Sequence, residues 1–272
     1  MKAAGLWIAG LYLALVALAA FTPDLLATHD PLQTDVRAAL QPPGGAHLFG
    51  TDQSGRDVLA RVVHGAARSA GIGLLATALA LVTGLAVGAL SGIAPRWADA
   101  VLMRVTDILL AFPEFLVALI VVAVLGPGGA NVAIAVTIAA VPVYIRLART
   151  QTRTLRVAEH VEAARILGVG RMRAFVRHVV PGVLGSLSVL ATIGIGSAIL
   201  AAAGLSETAL SFLGLGPAEP QPEWGLMLAG GRNVLGQAWW ISVFPGLAIT
   251  LTVISATVLG RALRARMEGR AA

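Results

Sequence analysis

Few side chains of this sequence have the types and spacing that covalent chemistry needs. The histidines are His29, His47, His64, His160 and His178. No two of them form the HExxH pair of a zinc hydrolase, and the chain has neither a cysteine nor a G-x-S-x-G nucleophile elbow. The sequence therefore predicts no catalytic residue and no metal site, and it argues against an intramembrane enzyme.

The lysine that a nucleotide-binding site usually needs is also missing. A phosphate-binding P-loop places a lysine directly after a glycine-rich turn. The only lysine of this chain is Lys2, which follows no such turn. We therefore expect no cofactor-binding residue, and any ATP and Mg²⁺ that the protein's work requires must be bound by another chain.

Three charged residues interrupt an otherwise apolar region. Arg104 and Asp107 are three positions apart, so they can pair on one face of a helix. Glu114 follows Pro113, whose missing N–H favours a kink. Because ionisable residues inside a membrane are costly and often functional, Glu114 is a candidate pathway-lining residue. The alternative is that it satisfies a backbone group freed by the kink.

The stretch "EAARILGVGRMRAFVRHVVPG" at 162–182 predicts a bent helical bracket. Its composition favours a helix over about 155–167, a left-handed stop at Gly168 and a second, basic helix over about 170–178. Pro181 should then interrupt the helix before the next apolar run. Ala163 and Ala164 present little bulk, so a partner can approach closely. The alternative is a solvated cationic loop.

The rest of the chain is too apolar for a water-soluble domain. Of its 272 residues, 57% are hydrophobic and 12% charged, about half the usual charged share. Segments long enough to span a membrane are 4–22, 69–94, about 100–125, about 129–149, 183–205 and 238–260. The predicted fold is an all-α membrane protein with six transmembrane helices. The first helix could instead be a signal peptide, but its apolar run exceeds the usual signal core.

Small residues recur on the second predicted span. Gly84, Gly88 and Gly92 are spaced by four, a small-xxx-small pattern that lets helix backbones approach closely. We interpret them as helix-packing residues. The alternative is a sliding surface between two transport states.

Basic residues in the loops indicate the orientation. With the N-terminus inside, most arginines fall in the inner loops, which is the usual bias of cytoplasmic loops. This orientation places both termini and the loop 150–182 in the cytoplasm. It also accounts for the net charge of +6 without a nucleic-acid partner.

The predicted boundaries follow from these spans. They are a first transmembrane helix at 1–22, an extracytoplasmic segment at 23–67, a transmembrane core at 68–262 with cytoplasmic loop 150–182 and outer loop 206–237, and a cytoplasmic tail at 263–272. The extracytoplasmic segment should end in a short amphipathic helix capped by Ser54, with Val58 and Ala66 on a face suited to the membrane surface. Three prolines favour an extended outer loop.

The order of residues in the bracket resembles a known family. "EAARILG", followed thirteen residues later by Pro181, is similar to the EAA loop of ABC-importer permeases, with Val180 where that pattern has leucine. Stretches similar to the dipeptide/oligopeptide/nickel group, and to its second permease subunit, are "LFGTDQSGRDVLARVVHGAARS" at 48–69, "RVTDILLAFPEFL" at 104–116 and "LSFLGLGPAEPQPEWGLML" at 210–228.

This resemblance implies a type I ABC-importer permease architecture whose cytoplasmic coupling-helix (EAA) loop docks on a separate ATPase. It assigns that coupling to Glu162, Ala163, Ala164, Gly168 and Pro181. It also implies a homologous second permease, one or two ATPase subunits, an extracytoplasmic solute-binding protein and a place in the lipid of the bacterial inner membrane. The implied cargo is a di- or oligopeptide, or alternatively nickel or a chelated metal.

Two other classes of protein stay open on the residues alone. An ion-coupled carrier working by itself would need inverted repeats and broken helices carrying ion ligands, and neither is evident. A membrane scaffold without transport would need none of the motifs above.

Overall fold

A computed structural model describes residues 3–126, 128–212 and 221–267, most of which are helical, with residues 22–57 as the main exception. The α-helices are α1 Ala3–Phe21, α2 Val58–Ile93, α3 Arg96–Ala111, α4 Glu114–Leu125, α5 Gly129–Leu155, α6 Glu159–Ile166, α7 Arg171–Ala174, α8 Val180–Phe212, α9 Trp224–Gly231 and α10 Trp240–Met267. Within the described ranges, five helices are long and apolar enough to cross a membrane, or six if α3 and α4 count together as one bent span.

The second span is longer than the sequence predicted. α2 is one continuous helix from Val58, so the expected separate amphipathic helix does not exist. Its N-cap is Asp57, not Ser54, because the Asp57 carboxylate accepts a 2.7 Å hydrogen bond from the Ala60 N–H. The expected membrane-surface face is instead buried in the protein, with Val58 and Ala66 almost fully covered.

The third span is broken at Phe112–Pro113, where α3 and α4 meet at 92°. Proline lacks the N–H that would continue α3, so the predicted kink at Pro113 is confirmed. The predicted pair of Arg104 with Asp107 is wrong. Asp107 pairs instead with Arg146 of α5, whose Nη2 lies 2.5 Å from a carboxylate oxygen.

The glycines of α2 lie against α5. A Cβ on Gly84 would stand 2.2 Å from the Cβ of Tyr144, and one on Gly88 would stand 2.6 Å from that of Ala148. Gly92 meets the following part of α5 at similar range. The two backbones therefore run in close contact at these positions, and a larger side chain there would push them apart.

Segment 22–57, which connects α1 to α2, is tied down by hydrogen bonds. The Asp52 carboxylate accepts from the backbone N–H groups of Ser54 and Arg56 at 2.8 and 3.0 Å. The Trp240 indole N–H donates to the Thr51 carbonyl at 3.0 Å and joins this segment to α10. These polar groups thus form their hydrogen bonds within the protein.

The expected extended outer loop is partly helical. α8 continues to Phe212 and α9 occupies Trp224–Gly231; residues 213–220 of the predicted loop lie outside the described part. α9 forms after the last proline because Trp224 is anchored on α2, with its backbone N–H donating to Ser69 Oγ at 2.8 Å and its indole N–H to the Val62 carbonyl at 2.7 Å.

Candidate functional site

The chain between α5 and α8 forms a helical elbow, residues 156–179. α5 ends at Leu155, and a turn ending in extended Ala158 precedes α6. The prediction of one helix starting near 155 is wrong because this turn separates α5 from α6. Glu159 and Glu162 lie in the first turn of α6, where negative charge is favourable for a helix N-terminus.

Gly168 ends α6 in the left-handed conformation, with φ +87°, as the sequence predicted. Its N–H donates to the Arg165 carbonyl at 3.0 Å, and the Val169 N–H donates to the Ala164 carbonyl at 3.1 Å. These two bonds form a Schellman motif, which satisfies the last carbonyls of the helix. The turn between α6 and α7 is therefore set by the backbone.

The predicted helix stop at Pro181 is wrong. A π-helical turn, Phe175–Val179, runs directly into α8, and Pro181 is the second residue of that helix. In the π turn the Val180 N–H donates to the Phe175 carbonyl, five residues back. This wider turn precedes the proline and leads the chain into α8 without a break.

The inner side of the elbow is braced against the bundle. Val161 of α6, Ala174 of α7 and Val179 of the π turn are all almost fully buried. They belong to one apolar cluster with buried residues of α2, α5 and α8, which are Ala80, Tyr144, Ala148, Val183 and Leu187. The elbow is thus packed onto three long helices.

The opposite side of the elbow exposes apolar side chains. Ile166 and Leu167, the last residues before Gly168, are 82% and 84% exposed, and Met172 on α7 is 66% exposed. Contiguous apolar surface of this kind marks a site for a protein partner or a membrane. Sequence reasoning missed these side chains because it predicted a longer helix, over about 155–167, and did not predict which of its apolar residues are exposed.

The predicted coupling residues fall in two places. Glu162, Ala163 and Gly168 are exposed on or beside α6, with Ala164 half-buried next to them. Pro181 is exposed on α8, beyond the π turn and away from that group. The structure thus brings four of the five together at the apolar tip.

A groove of about 480 Å³ runs between the end of α2 and the elbow. Its walls are apolar at Ile93, Val157 and Phe175, and basic at Arg156 and Arg165. The groove provides a place where a partner's side chain can pack beside the exposed tip.

A charged cluster centred on Asp99 joins α2, α3 and α5 next to the elbow. One Asp99 oxygen accepts from Arg149 Nε at 2.5 Å and from Ser91 Oγ at 2.7 Å. The other accepts from Arg149 Nη2 at 2.7 Å and Arg153 Nη2 at 2.5 Å. Sequence analysis counted these arginines among the loop charges, because the cluster forms only once α2, α3 and α5 pack together.

Glu114 lies away from the elbow and is exposed at the surface of this subunit. It is the first residue of α4, directly after the break, and its side chain lines two small cavities. No group of three or more metal-ligating side chains occurs among the described residues.

The structure thus combines helices long enough to cross a membrane with a braced elbow that exposes an apolar tip. Residues 84–270, more than half of the chain, match the family described as "Binding-protein-dependent transport system inner membrane component". The chain belongs to this family, and the predicted fold class is confirmed.

Similar proteins agree over almost the whole length. The chain is 41% identical to the probable D,D-dipeptide transport system permease protein of Escherichia coli (strain K12), over 90% of this chain and 81% of that protein. It is 40% identical to the di/tripeptide transport system permease protein of Pseudomonas aeruginosa (strain UCBPP-PA14), over 95% and 86%. It is 37% identical to the glutathione transport system permease protein of Pectobacterium atrosepticum, over 96% and 85%. The predicted resemblance to ABC-importer permeases of the peptide group is confirmed.

Proposed function

We propose that this chain forms half of the translocation pathway of an ATP-driven importer for di- or oligopeptides, beside a homologous second permease. The names of the similar proteins support a peptide cargo, since they specify D,D-dipeptide, di/tripeptide and glutathione transport. An extracytoplasmic solute-binding protein delivers the cargo. Nickel or a chelated metal is the alternative cargo, and a direct comparison of labelled dipeptide with Ni²⁺ uptake decides between them.

The elbow couples this subunit to one or two ATPase chains. The observation that carries this proposal is the exposed apolar pair Ile166–Leu167 on an elbow that is packed against three long helices. A partner that grips the tip moves the bundle. In this assignment Glu162, Ala163 and Ala164 form the contact face, Gly168 sets the turn, and Pro181 follows the π turn that leads the motion into α8.

The ATPase chains, not this one, bind ATP and Mg²⁺. We place the elbow and both termini in the cytoplasm and the subunit in the inner membrane of a bacterium, because the arginines of 146–177 collect at the elbow end of the bundle. Membrane lipid surrounds the apolar faces of the spans.

The test is Ala163→Asp in the complete transporter, reconstituted in vesicles with its ATPase and binding protein. A buried charge at the contact face should uncouple ATP hydrolysis from uptake, lowering ATP-dependent peptide uptake at least tenfold. The control is Ala46→Asp, which changes another exposed alanine in segment 22–57, at the opposite end of the bundle. Normal uptake by Ala163→Asp would show that the elbow does not couple ATP hydrolysis to uptake.

A further inference from the structure

Three buried hydroxyl groups have no hydrogen-bond partner within the described residues, those of Thr77, Tyr144 and Thr152, and the first two line one cavity. The side chains of Tyr144 on α5 and Thr77 on α2 belong to residues only 3% and 6% exposed, and neither hydroxyl oxygen has a hydrogen-bond partner within the described residues. Away from water, each unsatisfied polar group costs several kcal/mol. Such a pair needs an explanation in terms of something the cavity holds.

Both hydroxyls lie close to the same glycine, which leaves room for them because it has no side chain. A Cβ on Gly194 of α8 would stand 2.4 Å from the Tyr144 hydroxyl oxygen and 3.6 Å from Thr77 Oγ1. These three residues line a cavity of about 120 Å³ together with Glu114 and Ser197, which are exposed. We name this set, Thr77, Glu114, Tyr144 and Ser197, the Glu114 pocket.

A second cavity of about 220 Å³ adjoins the first and shares Glu114 and Ser197 with it. Its other walls are apolar, including Phe115, Ala118 and Val136. Tyr144 stands fifteen residues into α5, about 22 Å from the start of that helix, so the pocket lies within the ~30 Å hydrocarbon core of the bilayer.

The pocket is matched to one kind of chemical group. An ammonium carries three N–H donors and one positive charge, and a carboxylate with three hydroxyl oxygens offers acceptors and the opposite charge. At about 30 Å³ for each water-sized group, a volume of about 120 Å³ holds an ammonium with about three waters. The apolar cavity next to it provides room for a small side chain attached to the same carbon.

We propose that the Glu114 pocket receives the free α-ammonium group of the peptide as it passes through this subunit, with the first side chain in the adjoining apolar cavity. This inference rests on the proposed function and adds a recognition site within the membrane. The Glu114 carboxylate neutralises the ammonium, and the hydroxyls of Thr77, Tyr144 and Ser197 complete its hydrogen bonds.

The experiment compares two cargoes in the complete reconstituted transporter: a dipeptide with a free amine and the same dipeptide N-acetylated. For each variant, the uptake rate is divided by the wild-type rate for the same cargo, so that selection by the binding protein cancels. Glu114→Gln should lower uptake of the free-amine peptide about tenfold and uptake of the acetylated peptide less than twofold. Equal losses for both cargoes, or no loss, would overturn the proposal.

Tyr144→Phe provides a second test that a folding defect cannot imitate. Its hydroxyl has no partner in the described chain, so removing it breaks no bond of the protein and should leave thermal stability unchanged or raised. The same selective loss for the free-amine peptide is expected. If uptake instead depends on Na⁺ when Na⁺ replaces choline, a small cation occupies the pocket and the proposal is wrong. A wild-type transporter that imports neither cargo with ATP would contradict the proposed function itself.

Discussion

Two glycines with left-handed backbone stand at opposite ends of the bundle, and their surroundings differ sharply. Gly55 in segment 22–57 has φ +74°, and Gly168 in the elbow has φ +87°. A Cβ on Gly55 would stand 1.7 Å from the Asp35 carbonyl oxygen, whereas a Cβ on Gly168 would have no atom within 4 Å. The same backbone conformation thus occurs in a tightly packed turn at Gly55 and in an open turn at Gly168.

The polar and apolar groups of the two regions follow the same division. In segment 22–57, Asp52 and Asp57 are buried. Their carboxylates accept hydrogen bonds from backbone N–H groups and pair with basic side chains. The elbow buries Val161 but leaves Ile166 and Leu167 in contact with solvent. The comparison teaches that segment 22–57 is held by contacts with the rest of the chain and exposes apolar side chains such as Val36. The elbow exposes two adjacent apolar residues, which the proposed function assigns to a partner.

The largest effect should come from Gly55→Ala. The added methyl group collides with backbone and also strains a left-handed residue, so we expect a loss of about 3 kcal/mol in the free energy of unfolding. Unfolding of the purified protein in detergent measures it. Gly45→Ala, in the same segment with open space around it, is the control. Equal stability of the two variants would show that segment 22–57 is not closed.

Leu167→Glu should weaken ATPase binding without changing stability. A charge replaces an apolar side chain at the proposed contact, which costs about 2 kcal/mol or more, or roughly 30-fold in affinity. Val36→Glu is the matched control, because Val36 in segment 22–57 is 83% exposed. Capture of the ATPase by the purified permeases is the measurement. Similar affinities for both variants would mean that the exposed tip is not a contact.

Gly168→Ala should have a smaller effect than Gly55→Ala. The alanine fits in space but must adopt a left-handed backbone, which costs about 1 kcal/mol. Gly170→Ala, two residues away with ordinary φ, should cost less, and the difference isolates the backbone strain. Thermal stability and uptake are measured together. A loss as large as that of Gly55→Ala would make the elbow as tightly packed as the other region.

The smallest effect concerns pH at the start of α9. Burial raises the pKa of the Glu223 carboxyl, and Arg68, 3.5 Å away, partly opposes this. Because the folded pKa lies above the ordinary value of 4.5, stability is greatest below that value and declines as the pH rises through the raised pKa. Glu223→Gln should flatten this part of the pH profile of thermal stability. If Glu223→Gln left the pH profile of thermal stability unchanged, the prediction would be wrong.

Local signals carried most of the fold prediction. Apolar runs of sufficient length located the spans, Pro113 located the break, and Gly168 located the end of α6, because each depends on a few neighbouring residues. The errors came from distant contacts. Asp107 pairs across to Arg146, 39 positions along the chain, and Asp57 rather than Ser54 caps α2.

The candidate site was predicted in part. The EAA resemblance located the elbow and its exposed positions Glu162 and Ala163. It did not reveal the Asp99 cluster, since three helices must be assembled before those charges meet. Nor did it show the unpartnered hydroxyls around Glu114, which depend on how α2, α5 and α8 pack.

The continuous length of α2 has a mechanical consequence. Its 36 residues measure about 54 Å, well beyond the hydrocarbon thickness of a bilayer. It begins at the Asp57 cap and, through Ser91, ends on Asp99. Because α2 is one continuous helix, a tilt imposed at one end also moves the other end. In the proposed function, α2 would therefore connect the side that receives the cargo with the side that contacts the ATPase.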